Sequence, residues 1–296
     1  MSGLILHFDD EREPAQRLAV AVGGDTALIS RHRFPDAELR LQLPATLPPT
    51  VTVLRSLDRP NEKLVELLLA ARTARSLGAT RVALVCPYLA YMRQDIAFHP
   101  GEVVSQRVIG AFLAELFDDV ITLDPHLHRI ATLAEAIPVP HALALSGAPL
   151  LGELIAARRE APLLVGPDEE SAQWVAQAAA ERGWDYGVCH KVRSGDRQVA
   201  VALPEELDPA GRAVVLVDDM ASSGHTLARA AEGLIARGAA SVDVAVTHAL
   251  FADDALAVVK AAGVGEVWST DSVAHPSNAV SVAPLIAAAM RSIGLS

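Results

Sequence analysis

Short β-branched runs alternate with longer Ala/Leu-rich amphipathic segments along almost the whole chain, and this alternation is what most constrains its fold. Such a rhythm belongs to βαβ units on a mainly parallel sheet flanked by helices. In the first half it predicts strands in LILHF (4–8), ALISRHRF (27–34), TVTVLRSL (50–57), RVALVCPY (81–88) and DVITLDPH (119–126), with helices over 61–77 and 104–117. Asn61 is the expected N-cap of the first of these helices and Gly78 its C′ residue. After PVPHALALSG (138–147) the rhythm restarts. It predicts a helix over 148–159, a strand in PLLVGPD (162–168), a helix over 170–182 and a hairpin through 184–205. Further on come a strand in AVVLVDD (213–219), a helix over 223–237, the run VDVAVTHALF (242–251), a helix near 253–262, the run VGEVWSTDSV (264–273) and a closing helix over 281–293. The expected class is therefore α/β, with two tandem domains of similar size, 1–142 and 143–296, although no internal repeat is strong enough to show that they are duplicates.

With 296 residues, 51% of them hydrophobic, each half is long enough to bury its own core. A formal net charge of -11 argues against a protein that coats nucleic acid or an anionic membrane, so neither partner is expected. Cys86 and Cys189 stand far apart in no metal-binding spacing, which fits a reducing compartment. The start MSGLILHFDDEREP turns acidic early, and no run of about 18 apolar residues occurs, so a cytoplasmic location is expected.

The sharpest local signal is AVVLVDDMASSGHTLARAAEGL (213–234), a buried-type strand that ends in two acids and passes through small residues into a helix. Asp218 and Asp219 can accept hydrogen bonds from vicinal hydroxyls. Ser222, Ser223, Gly224, His225 and Thr226 bring hydroxyls and backbone amides to a helix N-terminus, which suits a phosphate. Diol and phosphate together indicate a sugar phosphate. His126 follows the strand DVITLDPH and Asp168 ends PLLVGPD, so both project at carboxyl edges where ligands of such sheets bind. An imidazole or a hard carboxylate oxygen there can serve a metal ion, although His128 competes with His126 and Asp168 can instead cap the next helix. No GxxxxGK[ST] is present, so any bound nucleotide must be held by scattered side chains.

The strand-acid-loop pattern resembles the ribose-phosphate loop of the type I phosphoribosyltransferase fold. The ordered set RFPDAEL (33–39), YMRQD (91–95), DPH (124–126), GPD (166–168), HKVR (190–193) and VDDMASSGHTL (217–227) is similar to that of ribose-phosphate pyrophosphokinases, most of all their archaeal-type branch. That resemblance implies two tandem phosphoribosyltransferase-like domains and transfer of a diphosphoryl group from Mg-ATP to ribose 5-phosphate. It implies adenine contacts by Phe34, Asp36 and Glu38, and contacts by Arg93, Gln94 and Asp95 to the nucleotide of a neighbouring protomer, hence a homo-oligomer of at least two chains. It implies Mg²⁺ contacts by His126 and Asp168, catalytic roles for Lys191 and Arg193, and ribose 5-phosphate contacts by Asp218, Asp219 and residues 222–226. The chain departs from the pattern at Ala37, at Glu169-Glu170 and at His225, each standing where the family usually has glycine. A phosphoribosyltransferase consuming phosphoribosyl diphosphate and a silent regulatory paralogue are the alternative readings.

Overall fold

The structure, a computed structural model, describes residues 3–193, 199–202, 204 and 207–295. It divides into two compact units, Met1–Leu145 together with Val282–Ser296, and Ser146–Ser281. The sequence placed the join near 142 and kept the closing segment in the second half. That segment instead packs with the first unit, where Arg81 Nη2 donates to the Ile293 carbonyl at 3.0 Å.

The first unit carries β1 (Leu4–His7), α1 (Arg12–Val22), β2 (Asp25–Leu28), β3 (Ser30–Arg33), β4 (Leu39–Gln42), β5 (Thr50–Leu54), α2 (Pro60–Ser76), β6 (Arg81–Cys86), α3 (Ser105–Leu116), β7 (Asp119–Leu123), α4 (Leu133–Ala136) and β8 (His141–Leu145). The second carries α5 (Ala148–Ala156), β9 (Leu163–Gly166), α6 (Ala172–Ala180), β10 (Tyr186–Val188), β11 (His190–Arg193), β12 (Val199–Ala202), β13 (Ala213–Ala221), α7 (His225–Ala236), β14 (Ser241–Ala249), α8 (Ala255–Ala261), β15 (Val267–Thr270) and β16 (Asn278–Val280). The closing helix is α9 (Ala283–Ser292).

Each unit is built on a six-stranded sheet, in the orders β2-β1-β5-β6-β7-β8 and β10-β9-β13-β14-β15-β16, with every pairing parallel. Parallel strands covered by helices on both faces must be apolar on both. β13 obeys this rule: Val214 and Leu216 join Leu227 and Ala231 of α7 on one side, while Val215 and Val217 join Leu151 of α5 and Val175 of α6 on the other.

In both sheets the chain leaves two neighbouring strands in opposite directions. β1 leads to β2 on one side while β5 leads to β6 on the other; β9 leads to β10 while β13 leads to β14. The carboxyl ends of β1/β5 and of β9/β13 are therefore topological switch points, where open α/β sheets form ligand crevices.

Several elements differ from the sequence expectation. The run 27–34 is two strands, because the chain turns at buried Ile29: β2 joins the main sheet, while β3 pairs antiparallel with β4 in a separate ribbon. Helix α1 was not foreseen, yet it buries Ala15, Leu18, Ala19 and Val22, the i, i+3, i+4, i+7 spacing of one helical face. Asn61 does not cap α2. Arg59 is the N-cap and Pro60 opens the helix, while the Asn61 side chain accepts a hydrogen bond from the Tyr91 hydroxyl. The expected hairpin over 184–205 divides into β10, parallel to β9, and the antiparallel pair β11-β12; its turn at 194–196 lies outside the described residues.

Candidate active site

At the second unit's switch point, β9 ends in Gly166, where an added Cβ would stand 2.1 Å from Ser171 Oγ. The missing side chain lets the following turn fold inward. Ser171 Oγ donates to the Asp168 carbonyl at 2.5 Å, and Asp168 Oδ1 accepts the Glu170 N–H at 3.2 Å. Asp168 thus caps the short 3₁₀ turn Glu169–Ser171 and stays partly open. Across the crevice, Asp218 and Asp219 lie in the last half of β13, which runs beyond the expected end at 219 to Ala221. Asp219 is 2% exposed, and its N–H donates to Asp218 Oδ1 at 3.0 Å. Burial, then the charges of Asp219 and Asp168, push the Asp218 carboxyl well above its ordinary range. The three carboxylates therefore form one electrostatic patch, suited to cations or hydroxyl donors.

Beyond β13 the chain bends through 222–224 into α7. Gly224 adopts φ +74°, and a Cβ there would meet the Ala255 carbonyl at 2.7 Å and Val259 Cγ2 at 2.9 Å, so both conformation and space demand glycine. The Ser222 carbonyl accepts the Ala252 N–H at 3.0 Å, fastening the loop to the segment after β14. The N-cap of α7 is Gly224, which brings no side chain to its amino end, and Ser223, His225 and Thr226 are exposed beside it. The helix dipole and first-turn N–H groups offer an anion a docking point next to the carboxylates.

Lys191 and Arg193 lie on β11, where they pair in register with Val201 and Val199 of β12; their side chains lie outside the described residues. His190 Nδ1 contacts Glu169 Oε1 at 2.9 Å, so one acid of the substituted pair is turned toward β11.

In the first unit, Phe34, Asp36 and Glu38 share one tight turn between β3 and β4. The Phe34 N–H donates to the Glu38 carbonyl at 2.9 Å, the Ala37 N–H to the Phe34 carbonyl at 2.9 Å, and the Glu38 N–H to Asp36 Oδ1 at 3.2 Å. Phe34 is 38% exposed and meets His32 edge-on at 4.8 Å. Ala37 takes φ +74°, the left-handed conformation that a glycine would adopt without cost. Arg93, Gln94 and Asp95 share a second loop. Arg93 is exposed, and Gln94 Oε1 accepts from Ser105 Oγ at 3.3 Å. Asp95 is buried and accepts from Arg129 at 2.5 Å, a pairing the sequence did not suggest. His126 is half-buried, its ring edge-on to that of His128 at 4.1 Å.

Sequence reasoning also missed a charged cluster at the β1/β5 switch point, centred on Arg55. Its signal was an arginine at the end of the otherwise apolar run TVTVLRSL, facing an acid run after LILHF.

Comparison with known proteins gives a consistent result. Residues 4–116 match the N-terminal domain of ribose phosphate pyrophosphokinase, and residues 141–269 match the phosphoribosyl transferase domain. The chain is 37% identical to the ribose-phosphate pyrophosphokinase of Methanopyrus kandleri, covering 98% of this chain and 99% of the relative. It is 36% identical to that of Methanosarcina acetivorans over 94% of this chain and 95% of the relative. The fold is that of a phosphoribosylpyrophosphate synthetase from Mycobacterium smegmatis, with a TM-score of 0.85 over 99% of both chains at 23% identity.

Proposed function

The chain belongs to the ribose-phosphate pyrophosphokinase family, and from that premise we propose which residues carry each part of the reaction. The enzyme transfers the β,γ-diphosphoryl group of ATP to the C1 hydroxyl of ribose 5-phosphate. The hydroxyl oxygen bonds to the β-phosphorus, the bond from that phosphorus to the α,β-bridging oxygen breaks, the hydroxyl proton is released, and AMP leaves.

Asp218 and Asp219 accept hydrogen bonds from the ribose hydroxyls, and residues 222–226 hold the 5-phosphate against the amino end of α7. Phe34 offers its ring to the adenine while Asp36 and Glu38 accept from its edge. Arg93 grips phosphate oxygens of a neighbouring protomer's nucleotide through its planar guanidinium, with Gln94 and Asp95 in the same loop, so the working form is a homo-oligomer. Lys191 and Arg193 on β11 stabilise the charge that spreads over the group in transfer. Residues 1–142 thus supply the nucleotide contacts, and 143–296 the sugar-phosphate loop and the catalytic strand.

The donor set fits magnesium. Asp168 brings a hard carboxylate oxygen to a patch already crowded with negative charge in the second unit, and His126, on the segment after β7 of the first unit, offers an imidazole that can bind a metal ion directly or through water. When bound, the ion neutralises the triphosphate. The location proposed is the cytoplasm; no helix among the described residues is long and apolar enough to cross a membrane.

The observation that carries this reading is the meeting of Asp168, Asp218, Asp219 and the Gly224-led helix at one switch-point crevice. The test is to incubate the purified protein with ATP, Mg²⁺ and ribose 5-phosphate and follow AMP. One AMP per sugar consumed is expected; AMP formed without the sugar, or free phosphate in its place, would refute the assignment.

A further inference from the structure

The two sheets share their strand order, and each can be counted from the first paired residues of its switch-point strands. Leu4 pairs with Val51 in the first unit as Leu163 pairs with Val214 in the second. Counted from these pairs toward the carboxyl ends, Arg55 falls where Asp218 falls, and Asp9 where Asp168 does. The first unit's crevice is filled from within. Arg55, 1% exposed, donates to both oxygens of Asp10 at 2.9 Å, to Glu11 at 3.1 Å and to Glu66 at 2.5 Å, and it lies over the Phe8 ring at 4.5 Å.

Glu66, on α2, is buried and shared. One oxygen takes Arg55, and the other takes Arg31 of β3 at 2.5 Å. Arg31 also donates to Asp9 at 2.9 Å. One turn earlier on α2, Glu62 receives both Nη groups of Arg33, at 3.1 and 2.5 Å. The ribbon β3-β4 lies outside the six-stranded sheet, and a two-stranded ribbon is marginal alone. Leu41 of β4 packs on the core of the first unit together with buried Ile29 and Leu43, and the arginine–glutamate pairs tie β3 to α2, so they fix how the ribbon lies over that helix; the turn at its tip carries Phe34, Asp36 and Glu38.

We propose that Glu66, locked by Arg55 in the self-filled crevice of the first unit, is a positioning residue for ATP: through Arg31 it fixes the β3-β4 ribbon, and with it the adenine turn. The proposal rests on the reading of that turn as the adenine contact. Glu66 itself does not touch the nucleotide.

The test uses the full-length protein carrying Arg31→Gln, Arg31→Lys or Glu66→Gln, with steady-state kinetics in both substrates and amide hydrogen exchange across residues 30–42. For Arg31→Gln and Glu66→Gln, KM for ATP should rise about tenfold or more, as loss of a charge-assisted hydrogen bond implies. KM for ribose 5-phosphate and kcat at saturating ATP should stay within about twofold, and exchange should quicken in 30–42. Arg31→Lys, which keeps the charge but loses the fork, should fall between. Unchanged KM for ATP, an equal rise for both substrates, or unaltered exchange in 30–42 would overturn the proposal. If Glu66→Gln does not fold, Arg31→Gln decides the matter, because it leaves every partner of Arg55 in place. If the wild-type protein makes no AMP, the functional reading fails by itself, and the exchange data still decide whether Glu66 holds the ribbon.

Discussion

Four residues beyond the first paired residue of the strand, in two sheets with one strand order, the second unit sets Asp218 and the first sets Arg55. In the second unit carboxylates crowd one another and hold the Asp218 carboxyl above its usual range. In the first an arginine is enclosed by Asp10, Glu11 and Glu66. Crowded like charges are costly in the unliganded fold and become useful when a cation or hydroxyl donors arrive; an enclosed guanidinium ringed by carboxylates has its charge balanced with no visitor. The first unit's crevice thus serves anchorage, while the second unit's is the one proposed for binding.

Paired substitutions put the largest strain on that comparison. Asp218→Asn should lower kcat/KM for ribose 5-phosphate by on the order of 10²-fold while leaving the thermal midpoint unchanged or raised, because it removes a repelling charge. Arg55→Met should do the opposite to stability, costing about 3–5 kcal/mol in urea unfolding, since it abandons buried Glu11 and Glu66 without their shared cation. If the two variants lose stability alike, the crevices do not differ as described.

A smaller effect is expected from Gly224→Ala, which places a Cβ against the Ala255 carbonyl in a left-handed backbone. About 1–3 kcal/mol of stability should be lost, with a raised KM for ribose 5-phosphate and an unaltered KM for ATP, as kinetics in each substrate will show.

The pH response sharpens the contrast further. Burial, against the pull of Arg55 and the Ser56 N–H, raises the Glu11 carboxyl to about 7, so the folded state holds this proton more tightly than the unfolded chain does. Asp10, Glu66, Lys63, Arg31 and Asp9 are other charged groups bearing on the cluster. Glu11 therefore adds stability that is complete below its unfolded value near 4.5 and is lost as pH rises through 7. The stability of the wild type relative to Glu11→Gln, measured by denaturant titration, should fall across that window; a flat or rising difference would be contrary.

The smallest change is expected at the tip of the ribbon. Ala37→Gly releases a left-handed alanine and should add up to about 1 kcal/mol, seen as a slightly higher thermal midpoint.

Much of this was legible in the sequence because it is local. The βα rhythm located most strands of the two main sheets, though not β8 or β16, and VDDMASSGHTL contains the acids, the glycine and the helix start of the second unit's crevice in one stretch. The cost of an alanine at position 37 was likewise readable from a missing glycine, and its φ bears that cost out. What stayed hidden is long-range. Arg55 meets Glu66 only because β5 and α2 pack together, and Arg31 meets it only because the chain turns out of the sheet at Ile29. The pairing of Asp95 with Arg129 was not readable beside Arg93 and Gln94, because Arg129 comes from a loop more than thirty residues away. The likeness of the two halves was equally invisible in residues, since opposite charges stand at the two switch points; the shared strand order exposes it.

The central claim is that one crevice is open and its counterpart is filled by the chain itself. Calorimetric titration with ribose 5-phosphate, in the presence of Mg²⁺ and the non-transferable α,β-methylene ATP, tests this most directly. The account predicts one sugar phosphate per chain and binding weakened at least about tenfold by Asp218→Asn; two per chain, or binding as tight with Asp218→Asn as without it, would contradict it.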